Sequence, residues 1–392
     1  MGRQEITLLG MIFVLSIGEG GARFLSPVYL SEQGTSIGSI GLSMSVFGAA
    51  ALGSRLLVGL TFNAALVRAT IAISALASTV ALLVITTTSS IVVFTALIGV
   101  HGFGWGVLAT VLLTLVLKNK GTRTAAAVIG WYVGVEGLGR TGSPVLAGIL
   151  GGELGPAQAM RVHTVIFAAT AVLGVALLRI TEPSGPLEGK QRSSRKLDLR
   201  RFRHVPVAAW GAFLTGFYLN TTNAVLNTFF PVLGLALGFS LGQIGFLAGS
   251  RSAVSAVIRF FVDRILRLVS FNVIFVPLYA ITAVTTGLIG SITLYPVQFL
   301  LWIPNGASRG LLRVGSMAQA MHDSDDERAS AVAALIGAGY DVGRIIGPAV
   351  GGLAAAAFGL SAMFVIMPVF FVSLILPLAL RARSQPTGAG TA

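Results

Sequence analysis

Three acid–base pairs stand at helical spacing in a chain otherwise poor in charge: Glu19 with Arg23, Glu136 with Arg140, and Asp341 with Arg344. Residues three or four apart share one face of a helix, so each pair can close a salt bridge along that face. Arg251, Arg309 and Arg313 lie in apolar runs with no acid at such spacing. Six bases against three acids leave an excess of three positive charges. A charge at the centre of a bilayer costs about 2.5–3.5 kcal/mol even on the lenient insertion scale, so the surplus guanidinium groups are expected to face a wet cavity. Their planar fork suits carboxylates and phosphates. Asn220, Asn223 and Asn227 add polar groups to the same kind of sequence, and His101 is read as the one histidine deep in an apolar run. Ion pairs buried for structure, asparagines that bond helix to helix and a packed histidine are the alternative readings of the same residues.

A bilayer is assumed here because composition demands it. Of 392 residues, 54% are hydrophobic and only 10% charged, with a mean hydropathy of +0.86, whereas about a quarter of a soluble domain is charged. A spanning helix needs about 20 mostly apolar residues. The apolar runs divide into twelve such segments, at 6–31, 37–62, 67–87, 90–117, 124–151, 162–180, 205–236, 241–265, 268–292, 296–320, 329–357 and 361–380. The 49 glycines suit helices that must approach closely without a hydrophobic drive. A barrel would need short alternating strands, and no such alternation occurs. The first segment is long enough to span and is not expected to be a cleaved signal peptide. Without cysteine there is neither a disulfide nor a thiolate metal site.

The net charge of +13 is placed by topology rather than by nucleic acid. Lys118, Lys120, Arg123, the run Lys190 to Arg203, Arg264, Arg267, Arg381 and Arg383 follow even-numbered segments, while Arg161, Glu32 and Glu153 fall on the other side. By the positive-inside rule both termini are expected in the cytoplasm. The basic surplus also suits anionic lipid headgroups.

A shift of 204 positions superposes the chain on itself. Pro27-Val28 falls on Pro231-Val232, Gly34 and Ser36 on Gly238 and Ser240, Ile40-Gly41 on Ile244-Gly245, and Gly102 and Gly106 on Gly306 and Gly310. Gly139, Arg140, Pro144 and Gly148 fall on Gly343, Arg344, Pro348 and Gly352. One offset kept over separate regions signals a duplication. The expected layout is an all-α membrane protein of two pseudo-symmetric six-helix bundles, 1–180 and 205–383, joined by a cytoplasmic linker, 181–204, and ending in a disordered tail, 384–392. Asp323 to Arg328 reads as an acidic solvated loop.

The motifs resemble the major facilitator superfamily. Gly130, Gly139, Ser143-Pro144 and Ala147-Gly148 follow the antiporter motif of its exporters, with Ser and Ala in place of two glycines. Asp263-Arg264 fits the latch between the second and third helices of each half; Arg259 replaces its glycine, and Asn63 and Ala64 replace the acid and base in the first copy. Ile98 stands where proton-coupled exporters carry an arginine. The resemblance implies a twelve-helix fold with segments 1, 4, 7 and 10 around a central cavity, which would put Arg23, Arg309 and Arg313 on its wall. It also implies that Gly130, Gly139, Arg140, Pro144, Gly148, Asp263, Arg264, Gly343, Arg344, Gly347 and Pro348 serve conformational change rather than solute contact.

The function expected is secondary transport by alternating access, as proton-linked export of a small anionic or amphipathic organic solute. Solute contacts are expected from Arg23, Glu19, Asn220, Asn223, Asn227, His101, Trp105, Arg309 and Arg313. Glu19, Glu136 and Asp341 are the candidate proton carriers. Proton-independent uptake or exchange of an organic anion is the alternative of the same class; a pore or a non-transporting receptor is the alternative of another. No metal-ligand spacing, serine elbow or phosphate loop points to an enzyme or a cofactor. The protein is expected as a monomer in the cytoplasmic membrane, with the solute, the proton and lipids as partners and no nucleic acid.

Overall fold

The computed structural model describes residues 3–63, 66–117, 122–180, 206–322 and 326–384. The expected linker 181–204, the tail from 385, Ala64 and Asp323 to Asp325 lie outside them. The described residues form twelve helices and no strand: α1 (Arg3–Glu32), α2 (Ile37–Thr61), α3 (Val67–Ile85), α4 (Ile91–Leu117), α5 (Thr122–Leu154), α6 (Pro156–Ile180), α7 (Val207–Ala236), α8 (Leu241–Leu268), α9 (Phe271–Ile289), α10 (Tyr295–His322), α11 (Asp326–Phe358) and α12 (Leu360–Ser384). Eight of them are long and apolar enough to cross a membrane. Asn220, Asn223 and Asn227 dilute the apolar character of α7, and Arg309 and Arg313 that of α10. Large apolar side chains cover the outside, Phe260 being 85% exposed, as expected of a surface that meets lipid rather than water.

The turns follow from local chemistry. Gly34, Gly155, Gly238 and Gly359 hold φ between +74° and +87°, where a side chain would be strained. They close the α1–α2, α5–α6, α7–α8 and α11–α12 connections, and they form two pairs 204 apart. Ser36 caps α2 by accepting from the Ser39 N–H. Ser240 and Gln243 make the reciprocal pair of bonds of a capping box at α8, 3.2 Å and 2.9 Å. Helix α6 begins at Pro156, ahead of the expected 162. Proline is favoured at a first helical position, where its missing N–H has no partner to lose.

The chain divides into two compact units, residues 1–187 with 227–249, and residues 188–226 with 250–392. In the first, α1 packs on α5 and α6, and α4 on α2 and α3. In the second, α9 packs on α10 and α12, and Ala209, Ala212, Val332, Leu335, Ile336 and Tyr340 join α7 to α11 in an apolar core. Residues 227–249 go with the first unit partly because Gly148 meets the main chain of Leu241 and Gly245.

Glycine sets the helix crossings, and the two copies use it in one register. A Cβ on Gly102 would sit 2.5 Å from the Phe47 carbonyl oxygen, and Gly306 meets the carbonyl of Arg251. Gly106 meets the carbonyl of Ala51, and Gly310 that of Ser255. Gly139 meets the carbonyl of Phe13, and Gly343 that of Phe217. Glycines and partners are both 204 apart in all three comparisons.

Candidate functional site

In the first unit, α1 turns Glu19 and Arg23 onto one face. Glu19 is fully buried, and Arg23 Nε lies 3.2 Å from its Oε1. On α5, Arg140 Nη2 lies 2.7 Å from Glu136 Oε1. The two pairs are within electrostatic reach of one another, so two acids and two bases form one balanced group. Aromatic faces back both cations: the Arg23 guanidinium lies 5.7 Å from the Phe47 ring, and that of Arg140 5.7 Å from Trp105. Such contacts are attractive where water is excluded.

His101 is fully buried between Phe47 and Phe167, 5.6 Å from each ring centroid. Neither ring nitrogen has a hydrogen-bond partner, so it packs as an aromatic ring. The expectation that it is the only deep histidine is corrected by His163, which is also fully buried. It lies two turns inside α6 because that helix starts at Pro156, and it fills the space that the missing side chain of Gly21 leaves on α1.

The second unit holds the cationic surplus. Arg251 on α8 is 3% exposed; its Nη2 donates to Asn223 Oδ1 at 2.6 Å and its Nη1 to Asn305 Oδ1 at 3.4 Å. Its guanidinium lies 5.3 Å from the Trp302 ring. Asn305 Nδ2 in turn donates to Thr285 Oγ1 at 2.9 Å and Thr286 Oγ1 at 3.0 Å. One turn along α10, Arg309 Nη2 donates to Asn220 Oδ1 at 3.3 Å, and Asn220 Nδ2 donates to the Tyr340 carbonyl at 2.8 Å. The Arg313 guanidinium lies 4.7 Å from the Tyr340 ring. Arg309 feels Arg251, Arg259 and Arg313 together.

Among the described residues, acids do not balance this group. Asp341 binds Arg344 on its own helix, and Asp263 binds Arg267 at 2.7 Å with both side chains 77% exposed. Among the described residues, no carboxylate lies within 4.0 Å of Arg259, Arg309 or Arg313.

The structure thus brings Asn220, Asn223, Arg309 and Arg313 into one cluster, and Glu19, Arg23, Trp105, Glu136 and Arg140 into another. Asn227 lies on the part of α7 that belongs with the first unit. Arg251 as a hub, Arg259, Trp302 and Tyr340 were not among the expected contacts. The signal available for Arg251 was its solitary charge; Arg259 read only as a departure from a motif.

The motif residues divide by what they touch. Gly139, Gly148, Gly343 and Gly347 each lie against main chain of a neighbouring helix, and Pro144 offers its carbonyl to Gly245. Gly130 has open space where a side chain would project. Pro348 stands inside α11. Asp263 pairs with Arg267, while Arg264 is exposed. Among the described residues no three His, Asp or Glu side chains gather as a metal-ligand set.

The fold is similar to that of the nucleoside transporter NupG, with a TM-score of 0.79 and 13% identity over 97% of this chain and 99% of that one. A bacterial homologue of the human lysosomal transporter Spinster, in an inward-facing and occupied conformation, is matched with a TM-score of 0.79 and 13% identity over 99% and 98%. At such identities the likeness is one of fold. No curated protein matches the chain in sequence. The profile of the Major Facilitator Superfamily, however, matches residues 8–344, and with its twelve helices this integral, multi-pass membrane protein belongs to the Major Facilitator Superfamily of transporters.

Proposed function

We propose that the protein is a secondary transporter of a small organic anion, working by alternating access as a monomer in the cytoplasmic membrane, with both termini cytoplasmic. The observation that supports an anionic solute is the set of guanidinium groups of Arg259, Arg309 and Arg313 without a carboxylate partner among the described residues. An anion supplies the acceptors and the charge that the set lacks, and bidentate arginine contacts give it orientation. Arg309 and Arg313 contact the solute in this reading, Asn220 orients Arg309, and Arg251 holds Asn223 and Asn305 in place behind them.

Proton-linked export is the coupling proposed. In this reading Glu19, fully buried beside Arg23, together with Glu136 and Asp341, carries the proton that moves against the solute. Because each of these acids already has an arginine partner, a proton-independent anion exchanger is the second reading.

Purified protein in liposomes preloaded with a carboxylate or organophosphate panel tests both. Saturable counterflow that Arg309→Gln abolishes is the expected result, and efflux should accelerate with acid outside. Flux that survives the loss of Arg309 and Arg313 removes the anion site, and flux indifferent to the pH gradient leaves the exchanger.

A further inference from the structure

In the cluster of Arg259, Arg309, Arg313 and Tyr340 the three guanidinium groups are donors only, and the Tyr340 hydroxyl is the one side-chain oxygen. Each guanidinium has five N–H groups and no acceptor. One from Arg309 goes to Asn220 Oδ1 at 3.3 Å, and one from Arg259 to Ser255 Oγ at 3.4 Å. The Tyr340 side chain is 9% exposed, and its hydroxyl is buried without a hydrogen-bond partner. It lies within electrostatic reach of Arg313, Arg309 and Arg259. Leaving a buried hydroxyl unsatisfied is costly.

Helix register gathers these groups. Gly306 meets the Arg251 carbonyl and Gly310 that of Ser255, so the next turn of α8, at Arg259, comes level with Arg313 on α10. Arg309 stands one turn before them. On α11, the Tyr340 carbonyl is held by Asn220 Nδ2 at 2.8 Å, and Asn220 Oδ1 in turn accepts from Arg309. The phenol ring is fixed against Arg313 at 4.7 Å. Two cations at one level, a third a turn away and an unused hydroxyl make a set of donors whose charges a single negative charge cannot balance.

We propose that Arg259, Arg309, Arg313 and Tyr340 form a receptor for an oxyanion group carrying two negative charges, either a phosphate monoester or a close pair of carboxylates. This rests on the anion-transporter reading and narrows its substrate class. Arg259 and Tyr340 become specificity residues: they select the second charge, while Arg309 and Arg313 suffice for the first.

The test is equilibrium binding to the full-length protein in detergent, using matched probes that differ by one charge: phenyl phosphate against methyl phenyl phosphate, and succinate against its monomethyl ester. Tighter binding of a dianion than of its ester by at least tenfold is expected in one of the two arms, and the arm that responds names the source. Tyr340→Phe keeps the ring beneath Arg313, and Arg259→Gln removes one charge. Each should erase most of the dianion preference, by weakening the dianion far more than the ester. Where Arg259→Gln does not accumulate, Arg259→Lys keeps charge but loses the fork and should give an intermediate preference. Equal binding of dianion and ester overturns the inference and leaves the anion reading standing; no binding of any of the four probes overturns both. A preference unchanged in both variants removes Arg259 and Tyr340 from the receptor.

Discussion

Replacing Gly139 by alanine adds one methyl group at a close approach of α1 and α5. That carbon would lie 2.5 Å from the Phe13 carbonyl oxygen and 2.8 Å from Ser16 Cβ. Ordinary contact begins near 3.4 Å, so the shortfall against the carbonyl is 0.9 Å, the difference between 3.4 Å and 2.5 Å. A main-chain oxygen cannot change rotamer, so the helices themselves must part, and overpacking of this kind costs about 1–3 kcal/mol. Gly130→Ala is the matched control on the same helix, because nothing stands within 4 Å of its added carbon. There the substitution should stabilise by roughly 0.4–1 kcal/mol through loss of backbone freedom in the unfolded chain. Thermal unfolding of both variants in one detergent should therefore place Gly139→Ala below the parent and Gly130→Ala at or above it. Gly343→Ala, whose carbon meets the Phe217 carbonyl, should follow Gly139→Ala. A Gly139→Ala protein that melts with Gly130→Ala would refute the claim that glycine sets this crossing.

Glu19→Gln strands Arg23 beside a neutral partner and should destabilise by about 3–5 kcal/mol, as breaking a buried pair does; the double change Glu19→Gln with Arg23→Gln should recover part of the loss in the same melting assay. Asp263→Asn breaks a pair whose side chains are 77% exposed, so the melting temperature should stay within error of the parent's. His101→Phe should fold and melt no lower than the parent, since neither imidazole nitrogen has a partner and the ring packs between two phenyl groups; a large loss would show that the imidazole's polarity matters.

Much of this architecture was legible because glycine, proline and apolar length are local signals. Segment 37–62 became Ile37–Thr61 and segment 241–265 became Leu241–Leu268, and the 204-residue offset reached down to individual main-chain contacts. The three acid–base pairs were legible too, because both members of each lie on one helix. What joins helices was not. Arg251 reaches Asn223 on α7 and Asn305 on α10, a meeting that no spacing along the chain encodes. Tyr340 was hidden for the same reason: only its position beside Arg313 gives its hydroxyl meaning. Arg259 was visible only as an odd residue in a motif, since its neighbours come from the facing turn of α10.

The glycine crossings explain how two copies of one scaffold came to carry such different side chains. Each crossing is made by a bare α-carbon against a peptide oxygen, and every amino acid owns a peptide oxygen. Phe47 and Arg251 fulfil that duty equally, although one projects a benzene ring and the other a guanidinium. Mutation at the oxygen-bearing position therefore leaves the helix junction undisturbed. One half could drift toward electroneutrality and the other toward positive charge while both kept the same skeleton.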